Sequence, residues 1–351
     1  MRFLHSKFQN IKPYTPGEQL NNPEVIKLNT NENPYPTPAN VIEAATKAAA
    51  TLSRYSDPTA REVIEPLAAH FGVKPEEVFV GNGSDEVLSL LFQGFTEEGI
   101  NFADLTYGFY EVYRQYYQCK GATIPLQKDF TLNLTDFNQT KGTIILANPN
   151  APTGLVTPKE DLLDFIRKNP KRLIIVDEAY GDFADESIIK EAVNYENVVV
   201  VGTFSKSRHM AGARLGFAVA NAQRINELNR LKFSTNPYNV NSMTIACGKA
   251  SLANQAYVDE CVQKVIATRT WISQQLTDLG FEVLPSYTNF IFVRHPKLSG
   301  QDFYQQLKKK NILIRWFDQD RIRDFCRVSI GTDEEMHKFL NVTTALLERV
   351  R

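Results

Sequence analysis

The chain has 351 residues, of which 43% are hydrophobic, and its 39 Lys and Arg residues nearly balance its 40 Asp and Glu residues. A chain of this length can bury a large core and typically divides into two domains. The net charge of −1 gives no overall attraction to nucleic acid or to an anionic membrane, so any anionic ligand has to be held by local groups.

The four cysteines lie far apart and form no Cys-x-x-Cys pair, which disfavours a zinc site or a disulfide framework and predicts free thiols in a reducing compartment. The start of the chain, MRFLHSKFQNIKPY, lacks the apolar core of a signal peptide. No stretch approaches the ~18 apolar residues that a membrane-spanning helix needs. We therefore expect a cytoplasmic, soluble protein with no metal site and no nucleic-acid or membrane partner.

Residues 1–40 are rich in proline and asparagine and predict an irregular N-terminal arm, because proline interrupts helices and interior strands. The following segment predicts a helix that Asp57 caps and Pro58 opens. Up to about residue 220, helical patterns alternate with apolar runs that predict strands, in EVFVG, GTIILA, RLIIV, NVVVVG and ARLGFAVA. Continuously apolar strands are typical of a sheet covered by helices on both faces. Residues 41–245 therefore predict a large, doubly wound, mainly parallel α/β domain.

Beyond residue 245 the pattern changes. Apolar residues at helical spacing in YVDECVQKVIATRTWISQQLTDLG predict a long helix. Strand-like stretches follow in FEVLPSYTNFIFVR, NILIRWF and FCRVSIGT, with a helix between the first two. Residues 246–351 therefore predict a smaller α/β C-terminal domain.

Polar residues follow several predicted strands at the point where each strand ends. In open α/β sheets, ligands bind beyond the carboxyl ends of the strands, so one pocket could gather these groups. The residues concerned are Ser84 and Asp85, Asn148 and Asn150, Asp177 and Tyr180, and Thr203, Ser205 and Lys206.

The stretch GNGSDE places glycines before a helix, whose N-terminal N–H groups can bind an anion, although a simple tight turn has the same pattern. The acidic residue after the predicted strand in IIVDEAY fits a magnesium ligand, a catalytic acid or a helix cap. A magnesium-dependent nucleotide hydrolase also requires a G-x-x-x-x-G-K-[ST] loop. The one similar stretch, CGKAS, lacks the first glycine and the hydroxyl residue after Lys249, which disfavours this class.

The stretch TFSKSRHMAGARLGF sets Lys206 between Thr203, Ser205 and Arg214 at a strand end. Hydroxyls and a guanidinium group suit a phosphate, and a neutral lysine amine can attack a carbonyl to form a Schiff base. The alternative is a solvated basic loop after an edge strand.

The order of GNGSDE, TYGFY, NPNAPTG, DEAY and SK…AGARLGF resembles that of the class II, fold-type-I aminotransferases, which use pyridoxal 5′-phosphate. The resemblance runs from IKPYTPGEQ to RVSIGT, nearly the whole chain. Within that family, LNTNENPYP and the Lys206-to-Arg214 spacing look most like the members that act on histidinol phosphate. The resemblance implies amino transfer between L-histidinol phosphate and 2-oxoglutarate, with imidazole acetol phosphate and L-glutamate as products, in histidine biosynthesis.

The resemblance also implies roles for individual residues. Lys206 would bind the cofactor aldehyde covalently and then move a proton between the substrate Cα and the cofactor C4′. Asp177 would pair with the pyridine nitrogen, Tyr180 would donate to the ring oxygen O3′, and Tyr107 would stack on the ring. The cofactor phosphate would be held by backbone N–H groups of Ser84 and Asp85, by the hydroxyls of Thr203 and Ser205, and by Arg214.

Further residues follow from the same resemblance. Tyr55 would reach the phosphate of a partner subunit's cofactor, which implies a homodimer, although an ordinary surface tyrosine is the alternative. Arg315 and Arg327 match positions that bind substrate anions, and a salt-bridged surface arginine is the alternative for Arg315. Tyr14 and Asn31, in the arm, are weaker candidates for covering the substrate.

The chain departs from the family pattern at three places. Ala151 stands where an asparagine usually bonds O3′, and Asn150, one place earlier, is expected to substitute for it. Leu105 replaces a usual proline, which predicts a looser turn before Tyr107. Arg208 and His209 stand where uncharged residues are usual and are expected to point to solvent.

Three other functions stay open at this point. An aromatic amino acid aminotransferase and a threonine-phosphate decarboxylase would keep the same cofactor residues. A non-catalytic ligand-binding protein on the same fold would bind the cofactor without turnover.

Overall fold

The computed structural model describes residues 3–20, 22 and 24–348; residues 1, 2, 21 and 23 of the predicted arm and 349–351 of the predicted C-terminal domain lie outside this part. The strands, in chain order, are β1 (Ile26–Lys27), β2 (Val78–Asn82), β3 (Ile100–Ala103), β4 (Thr123–Ile124), β5 (Thr143–Ala147), β6 (Ile174–Asp177), β7 (Val198–Thr203), β8 (Leu215–Val219), β9 (Glu282–Val283), β10 (Phe290–Arg294), β11 (Ile312–Leu313), β12 (Arg315–Trp316) and β13 (Cys326–Ser329). The α-helices are α1 (Ala39–Ala49), α2 (Arg61–Phe71), α3 (Gly83–Gly94), α4 (Phe109–Tyr116), α5 (Lys159–Lys168), α6 (Ile189–Ala192), α7 (Ala222–Thr235), α8 (Ser242–Leu252), α9 (Gln255–Asp278), α10 (Gly300–Lys308) and α11 (Asp333–Glu348).

The largest sheet of the described residues has seven strands in the order β2-β8-β7-β6-β5-β3-β4. The neighbours from β7 to β4 pair in parallel, whereas β8 is antiparallel to both β7 and β2. Ile174 and Val176 of β6 pack into one core cluster, and Ile175 packs into another on the opposite face. The sheet is thus covered on both faces, and the predicted doubly wound, mainly parallel fold is confirmed.

The register of this sheet brings strand ends together. Ala147 at the end of β5 lies opposite Asp177 at the end of β6, and Asp177 lies opposite Val201 near the end of β7. Because β2 and β7 are both antiparallel to β8, the carboxyl end of β2 lies at the same edge. The loops after these strands therefore face a common space.

A second sheet, entirely antiparallel, has the order β12-β13-β10-β9. Helices α9, α10 and α11 pack with it around a separate apolar cluster, which also contains Leu28 of the arm. The arm joins this part because β1 pairs in parallel with β11. Helix α8 runs across the predicted boundary at residue 245 and packs against α1 and α2, and the division into domains stays a prediction.

One helix begins later than predicted. The helix expected from Pro58 begins at Arg61, because the Asp57 carboxylate accepts from the Thr59 N–H at 2.8 Å and forms a turn there. Ala60 then adopts a left-handed conformation, with φ 48°. The same carboxylate still accepts from the Arg61 N–H at 3.1 Å, so it supports the helix from one turn away.

Two predicted properties of the chain can be compared directly with the structure. The cysteines are free thiols, buried except for the partly exposed Cys119. None of the helices in the described residues combines the length and the apolar character needed to cross a bilayer.

Candidate active site

A cavity of ≈ 350 Å³ opens at the carboxyl edge of the large sheet. Most of the residues predicted to bind the cofactor line it: Ser84, Asp85, Tyr107, Asp177, Tyr180, Thr203, Ser205, Lys206 and Arg214. Residues that sequence reasoning did not select also line it, among them Thr30 and Glu32 of the arm. The arm is therefore part of the cavity wall, although the resemblance had singled out two other arm residues, Tyr14 and Asn31.

Lys206 lies in the loop after β7, at the end of the strand that carries Thr203. Its half-buried Nζ donates to the Thr30 carbonyl at 3.3 Å and lies 5.8 Å from the centroid of the Tyr180 ring. The loop is tightly turned, since the Ser205 N–H donates to Thr203 Oγ1 at 3.2 Å. Lys206 thus presents a primary amine to a protected cavity, and its Nζ makes one long hydrogen bond within the described residues.

Asp177 is a buried carboxylate at the cavity floor, 4% exposed. Its Oδ2 accepts from the Tyr110 hydroxyl at 2.6 Å and its Oδ1 accepts from the Ala179 N–H at 3.1 Å. Burial raises the pKa of Asp177 to about 6, although the Tyr110 hydrogen bond opposes this change. In the part of the chain that the structure describes, no cationic side chain forms a hydrogen bond or ion pair with this carboxylate, which suits it to a cationic ligand atom such as a protonated ring nitrogen.

Sequence reasoning missed Tyr110. It is fully buried on α4, and burial raises the pKa of its hydroxyl well above the ordinary value. The signal was present in TYGFYEVY, because Tyr110 follows Tyr107 at a spacing that places both on the same side of a helical turn. No pattern in the sequence indicated that its partner is Asp177, which lies 67 positions away.

The start of α3 and Arg214 form a second wall. Nη2 of Arg214 donates to Asp85 Oδ2 at 2.7 Å, and the Tyr107 hydroxyl donates to the other oxygen of Asp85 at 2.9 Å. Gly83, with φ 78°, leaves room for the guanidinium group, since a Cβ there would lie 2.4 Å from Arg214 Nη2. A Cβ on Gly216 would lie 2.1 Å from the Ser84 nitrogen. The two glycines therefore let a cation and a helix N-terminus converge, as an anion site requires.

Arg315 and Arg327 lie opposite each other on β12 and β13, and neither is among the residues that line the cavity. Arg315 donates to the carbonyls of Thr15 at 2.8 Å and Pro16 at 3.1 Å, and Arg327 donates to the Asn29 carbonyl at 3.0 Å. Nε of Arg327 is buried without a hydrogen-bond partner in the described residues, and burial lowers its pKa. Because these partners are carbonyls rather than carboxylates, both guanidinium groups keep their charge available for an anion.

The structure places Asn150 outside the cavity wall, against the prediction that it contacts the cofactor. Its Nδ2 donates to the Leu105 carbonyl at 2.9 Å and to Thr153 Oγ1 at 3.0 Å, and its Oδ1 accepts from the Thr106 hydroxyl at 2.8 Å. The amide is thus used to anchor the turn before Tyr107. The turn that the sequence predicted to be loose is held by this residue, and Ala151 lines the cavity in the asparagine's place.

The two arm residues predicted to cover the substrate have different positions. Tyr14 is 38% exposed and its ring centroid lies 6.3 Å from that of Tyr107, so it is next to the cavity. Asn31 is 1% exposed and does not line the cavity; its amide donates to the Tyr180 hydroxyl at 2.8 Å. Asn31 therefore contacts a cavity residue rather than the cavity itself.

Tyr55 lies outside the cavity and is 83% exposed. Its ring stacks on that of Tyr238, with centroids 4.5 Å apart. The hydroxyl is therefore available to another molecule, and its predicted role in a partner subunit's site stays a prediction.

The expectation that Arg208 points to solvent is wrong. The side chain is buried, with Nη2 2.8 Å from Gln255 Oε1 and 3.1 Å from His70 Nε2, and its guanidinium carbon lies 5.2 Å from the centroid of the Phe204 ring. His209 is half-buried, and burial lowers its pKa to about 4. Packing of the loop after Lys206 against α2 and the start of α9 encloses both residues.

The cavity can be compared with pyridoxal 5′-phosphate, the cofactor that the sequence predicts. The cofactor carries an anionic phosphate, a ring nitrogen, a ring hydroxyl and an aldehyde. The cavity offers a complementary group to each. The phosphate matches Arg214, the α3 N-terminus and the hydroxyls of Thr203 and Ser205. The ring nitrogen matches Asp177, the ring hydroxyl matches Tyr180, and the aldehyde matches Lys206. The absence of a side chain at Gly83 and Gly216 lets Arg214 and the Ser84 N–H approach the same space, and this observation favours a phosphate. The residues therefore fit pyridoxal 5′-phosphate.

Comparisons with known proteins agree with this chemistry. The model of the family described as "Aminotransferase class I and II" matches residues 23–342. The chain is similar to histidinol-phosphate aminotransferases of Clostridium botulinum (strain Okra / Type B1), at 39% identity over 97% of this chain and 98% of that protein, and of Brachyspira hyodysenteriae (strain ATCC 49526 / WA1), at 42% identity over 96% and 97%. The crystal structure of histidinol-phosphate aminotransferase from Sinorhizobium meliloti in complex with pyridoxal-5′-phosphate matches with a TM-score of 0.84 and 26% identity, over 93% of this chain and 91% of that one.

Proposed function

Because the chain belongs to the class I and II aminotransferases, which depend on pyridoxal 5′-phosphate, we propose that it transfers the amino group of L-histidinol phosphate to 2-oxoglutarate. The products are imidazole acetol phosphate and L-glutamate, in a step of histidine biosynthesis. The observation that carries the proposal is the similarity to histidinol-phosphate aminotransferases over nearly the full length of both chains.

The bound cofactor supplies an electron sink, which allows the Cα–H bond of the amino substrate to break. The protein's own part begins with Lys206. Its Nζ is the amine that would bond to the cofactor aldehyde and that, once free, would carry a proton between the substrate Cα and the cofactor C4′. The weak contact of Nζ with the Thr30 carbonyl, at 3.3 Å, is compatible with such movement.

Asp177 holds the proton on the ring nitrogen, and its two protein hydrogen bonds fix the carboxylate for this contact. Tyr180 would donate a hydrogen bond from its hydroxyl to the ring oxygen, and Tyr107 would cover the ring face. Arg214, Thr203, Ser205 and the α3 N-terminus hold the phosphate. Each residue acts by orientation and electrostatics, so small displacements of any one are expected to lower the rate.

The substrate's anionic group binds between Arg315 and Arg327. A phosphate and a carboxylate both present paired oxygens to a guanidinium group, so one site can accept histidinol phosphate in one half-reaction and glutamate in the other. The position of the two arginines on adjacent strands supports this assignment, as does the fact that their hydrogen-bond partners among the described residues are all carbonyls. Tyr14, next to Tyr107, closes the cavity over the bound substrate.

The active unit is a homodimer in which Tyr55 of each subunit reaches the phosphate of the cofactor in the other. The support for this is the exposure of Tyr55 and its stacking on Tyr238, which holds an aromatic hydroxyl at the surface.

The test is a set of assays with the purified, cofactor-loaded protein. L-Histidinol phosphate with 2-oxoglutarate should give the highest kcat/KM, compared with phenylalanine as donor and with threonine phosphate as a substrate for decarboxylation. Lys206→Ala should abolish transfer, whereas Lys249→Ala, on the exposed side of α8, should not. Borohydride reduction followed by digestion should place the cofactor on the peptide that contains Lys206.

Each of the other functions has its own outcome. A higher kcat/KM with phenylalanine, or carbon dioxide release from threonine phosphate, would replace the proposed substrate. Cofactor binding without turnover of any donor would indicate a non-catalytic binding protein. A Lys206→Ala variant with the wild-type rate would overturn the role of this lysine.

A further inference from the structure

Asn31 is a buried asparagine in the arm whose every polar group is bonded. Its backbone N–H donates to Ser329 Oγ at 2.9 Å, and its carbonyl accepts from Asn289 Nδ2 at 2.9 Å. Its side-chain Oδ1 accepts from the Ser329 hydroxyl at 2.7 Å, and its Nδ2 donates to the Tyr180 hydroxyl at 2.8 Å. The residue joins the second sheet to a tyrosine of the cavity wall.

The neighbours of Asn31 determine which way its amide points. Ser329 Oγ already accepts the backbone N–H of Asn31, so its hydroxyl hydrogen is free to donate, and Ser329 is buried at 2% exposure. With Oδ1 towards Ser329, that hydrogen has an acceptor. A flipped amide would place Nδ2, a second donor, against it and leave a buried hydroxyl hydrogen without this partner, at a cost of about 1–3 kcal/mol.

The amide orientation in turn determines what the Tyr180 hydroxyl can do. Its oxygen accepts from Asn31, and within the described residues it donates no hydrogen bond to the protein. The hydroxyl hydrogen is therefore left for an acceptor in the cavity that Tyr180 lines. The ring cannot easily turn away, since it packs edge-on against Phe290 with centroids 5.2 Å apart.

The other charged and titratable groups that face Tyr180 come from three elements. Lys206 lies over its ring from the loop after β7, Arg327 lies nearby on β13, and Tyr110 approaches from α4. None of these three side chains forms a hydrogen bond with the Tyr180 hydroxyl, so Asn31 alone of the described residues sets its direction. Ala151, which has no polar side chain, leaves Tyr180 as the side-chain donor to the ring oxygen on that side of the cavity.

We infer that Asn31 is a positioning residue, which holds the Tyr180 hydroxyl as a hydrogen-bond donor directed at the phenolic oxygen of the bound cofactor. Asn31 acts through Tyr180 and does not touch the substrate, in contrast to the expectation from the sequence. The inference rests on the proposed function only in so far as the cofactor occupies this cavity.

The test uses Asn31→Asp, which keeps the size of the side chain and tolerates the left-handed backbone at φ 57°. A carboxylate accepts where the amide donated, so the Tyr180 hydroxyl turns to donate to residue 31 and is lost to the cofactor. Loss of that bond destabilises the anionic ring oxygen. The pH midpoint at which the visible absorption band of the loaded protein changes should therefore rise by about one pH unit or more.

The added negative charge of the variant also raises this midpoint, so the same substitution is made in a Tyr180→Phe background. If Asn31 acts through Tyr180, the shift caused by Asn31→Asp should fall to less than a third in that background. Ser329→Ala, which frees the amide to flip, should shift the midpoint in the same direction by a smaller amount, and carries the test if Asn31→Asp does not fold.

An equal shift in both backgrounds would show that only charge is at work and would overturn the inference. An unchanged midpoint in folded Asn31→Asp, or in Ser329→Ala where the first variant does not fold, would overturn it as well. Turnover of L-histidinol phosphate by the wild-type protein is measured in parallel. Because the absorption band needs only the bound cofactor, a failure of the proposed substrate leaves the spectroscopic result readable.

Discussion

Tyr110 donates its hydroxyl to Oδ2 of Asp177 at 2.6 Å, and both side chains are buried at the floor of the cavity. Burial raises the pKa of Asp177, and this hydrogen bond opposes the change. The bond therefore helps to keep Asp177 ionised. An ionised Asp177 is what the proposed contact with a protonated ring nitrogen requires.

Tyr110→Phe should therefore weaken the action of Asp177 without removing it. The variant leaves a buried carboxylate oxygen without its partner, at about 1–3 kcal/mol, so we expect kcat/KM to fall about 5- to 150-fold and the dissociation constant of the cofactor to rise. Steady-state kinetics and cofactor titration measure both. Tyr117→Phe, whose hydroxyl bonds Ser89 instead, is the matched control and should change neither. Wild-type values in Tyr110→Phe would contradict the role given to this bond.

Glu178→Gln should change how stability depends on pH. Burial raises the pKa of Glu178 to about 7 from 4.5, and its oxygens accept from Ser187 at 2.5 Å and from the Ile188 N–H at 2.8 Å. Between these pH values the unfolded chain loses the proton while the folded protein keeps it. The free energy of unfolding therefore falls as pH rises, by up to about 1.4 kcal/mol per pH unit.

A glutamine keeps both hydrogen bonds, since its amide can donate to Ser187 and accept from Ile188, but it does not titrate. Relative to the wild type, the variant should gain about 2–3 kcal/mol in unfolding free energy between pH 5 and pH 7, measured by urea denaturation. Glu62→Gln, on the exposed surface, is the control for loss of a carboxylate. A difference between Glu178→Gln and wild type that stays constant with pH would show that Glu178 ionises normally.

Arg327→Lys should raise the KM of the anionic substrates more than it lowers kcat. Lysine keeps the charge but loses the planar pair of N–H donors, which is worth about 1.5–3 kcal/mol, so we expect a rise in KM of about 10- to 150-fold. Arg315→Lys should have a smaller effect, because both of its terminal nitrogens are already bonded to arm carbonyls. Arg294→Lys, on the neighbouring strand and paired with Glu282, is the control. Equal KM values in all three variants would show that the anionic group of the substrate does not bind at Arg315 and Arg327.

Gly83→Ala should weaken binding of the cofactor phosphate. The added methyl group would lie 2.4 Å from Arg214 Nη2, so the guanidinium group has to move. We expect the dissociation constant of pyridoxal 5′-phosphate to rise about tenfold or more, which corresponds to about 1.4 kcal/mol, in titrations of the cofactor-free protein.

The control for Gly83→Ala is Gly72→Ala. Gly72 has a similar left-handed φ of 70°, but a Cβ there would meet no atom within 4 Å. It reproduces the backbone strain of about 1–2 kcal/mol without the contact with Arg214. If both variants bind the cofactor equally well, the space above Gly83 is not part of the phosphate site.

Mixed dimers test the proposed role of Tyr55. When Lys206→Ala and Tyr55→Phe chains are combined, a shared site would leave one intact active site in each mixed dimer. For isolated mixed dimers we therefore expect activity well above that of either variant alone, up to about half of the wild-type value, since two-fold symmetry gives each dimer two sites. Tyr238→Phe, which keeps the aromatic stack, serves as the control for the surface around Tyr55. No recovery in the mixture would mean that Tyr55 acts within its own subunit or not at all.

The sequence by itself determined the strands of the large sheet and the residues at their ends. Apolar runs bounded by glycine and polar residues are local signals, so Asp177 at the end of β6 and Lys206 after β7 could be selected from the order of residues alone. The order of the motifs was enough to indicate the family, because each motif depends only on neighbouring residues. The helix expected at Pro58 was displaced to Arg61 because Asp57 forms a local turn that competes with helix capping.

Only the tertiary structure decided which side chains meet across the sheet and the arm. Tyr110 reaches Asp177 across 67 positions and Asn31 reaches Tyr180 across 149, and no spacing in the chain specifies either pair. Arg208 is buried because α2 and the start of α9 enclose its loop. A hydrogen bond requires donor and acceptor within about 3 Å, and for residues distant in sequence that distance is set by packing of the elements that carry them.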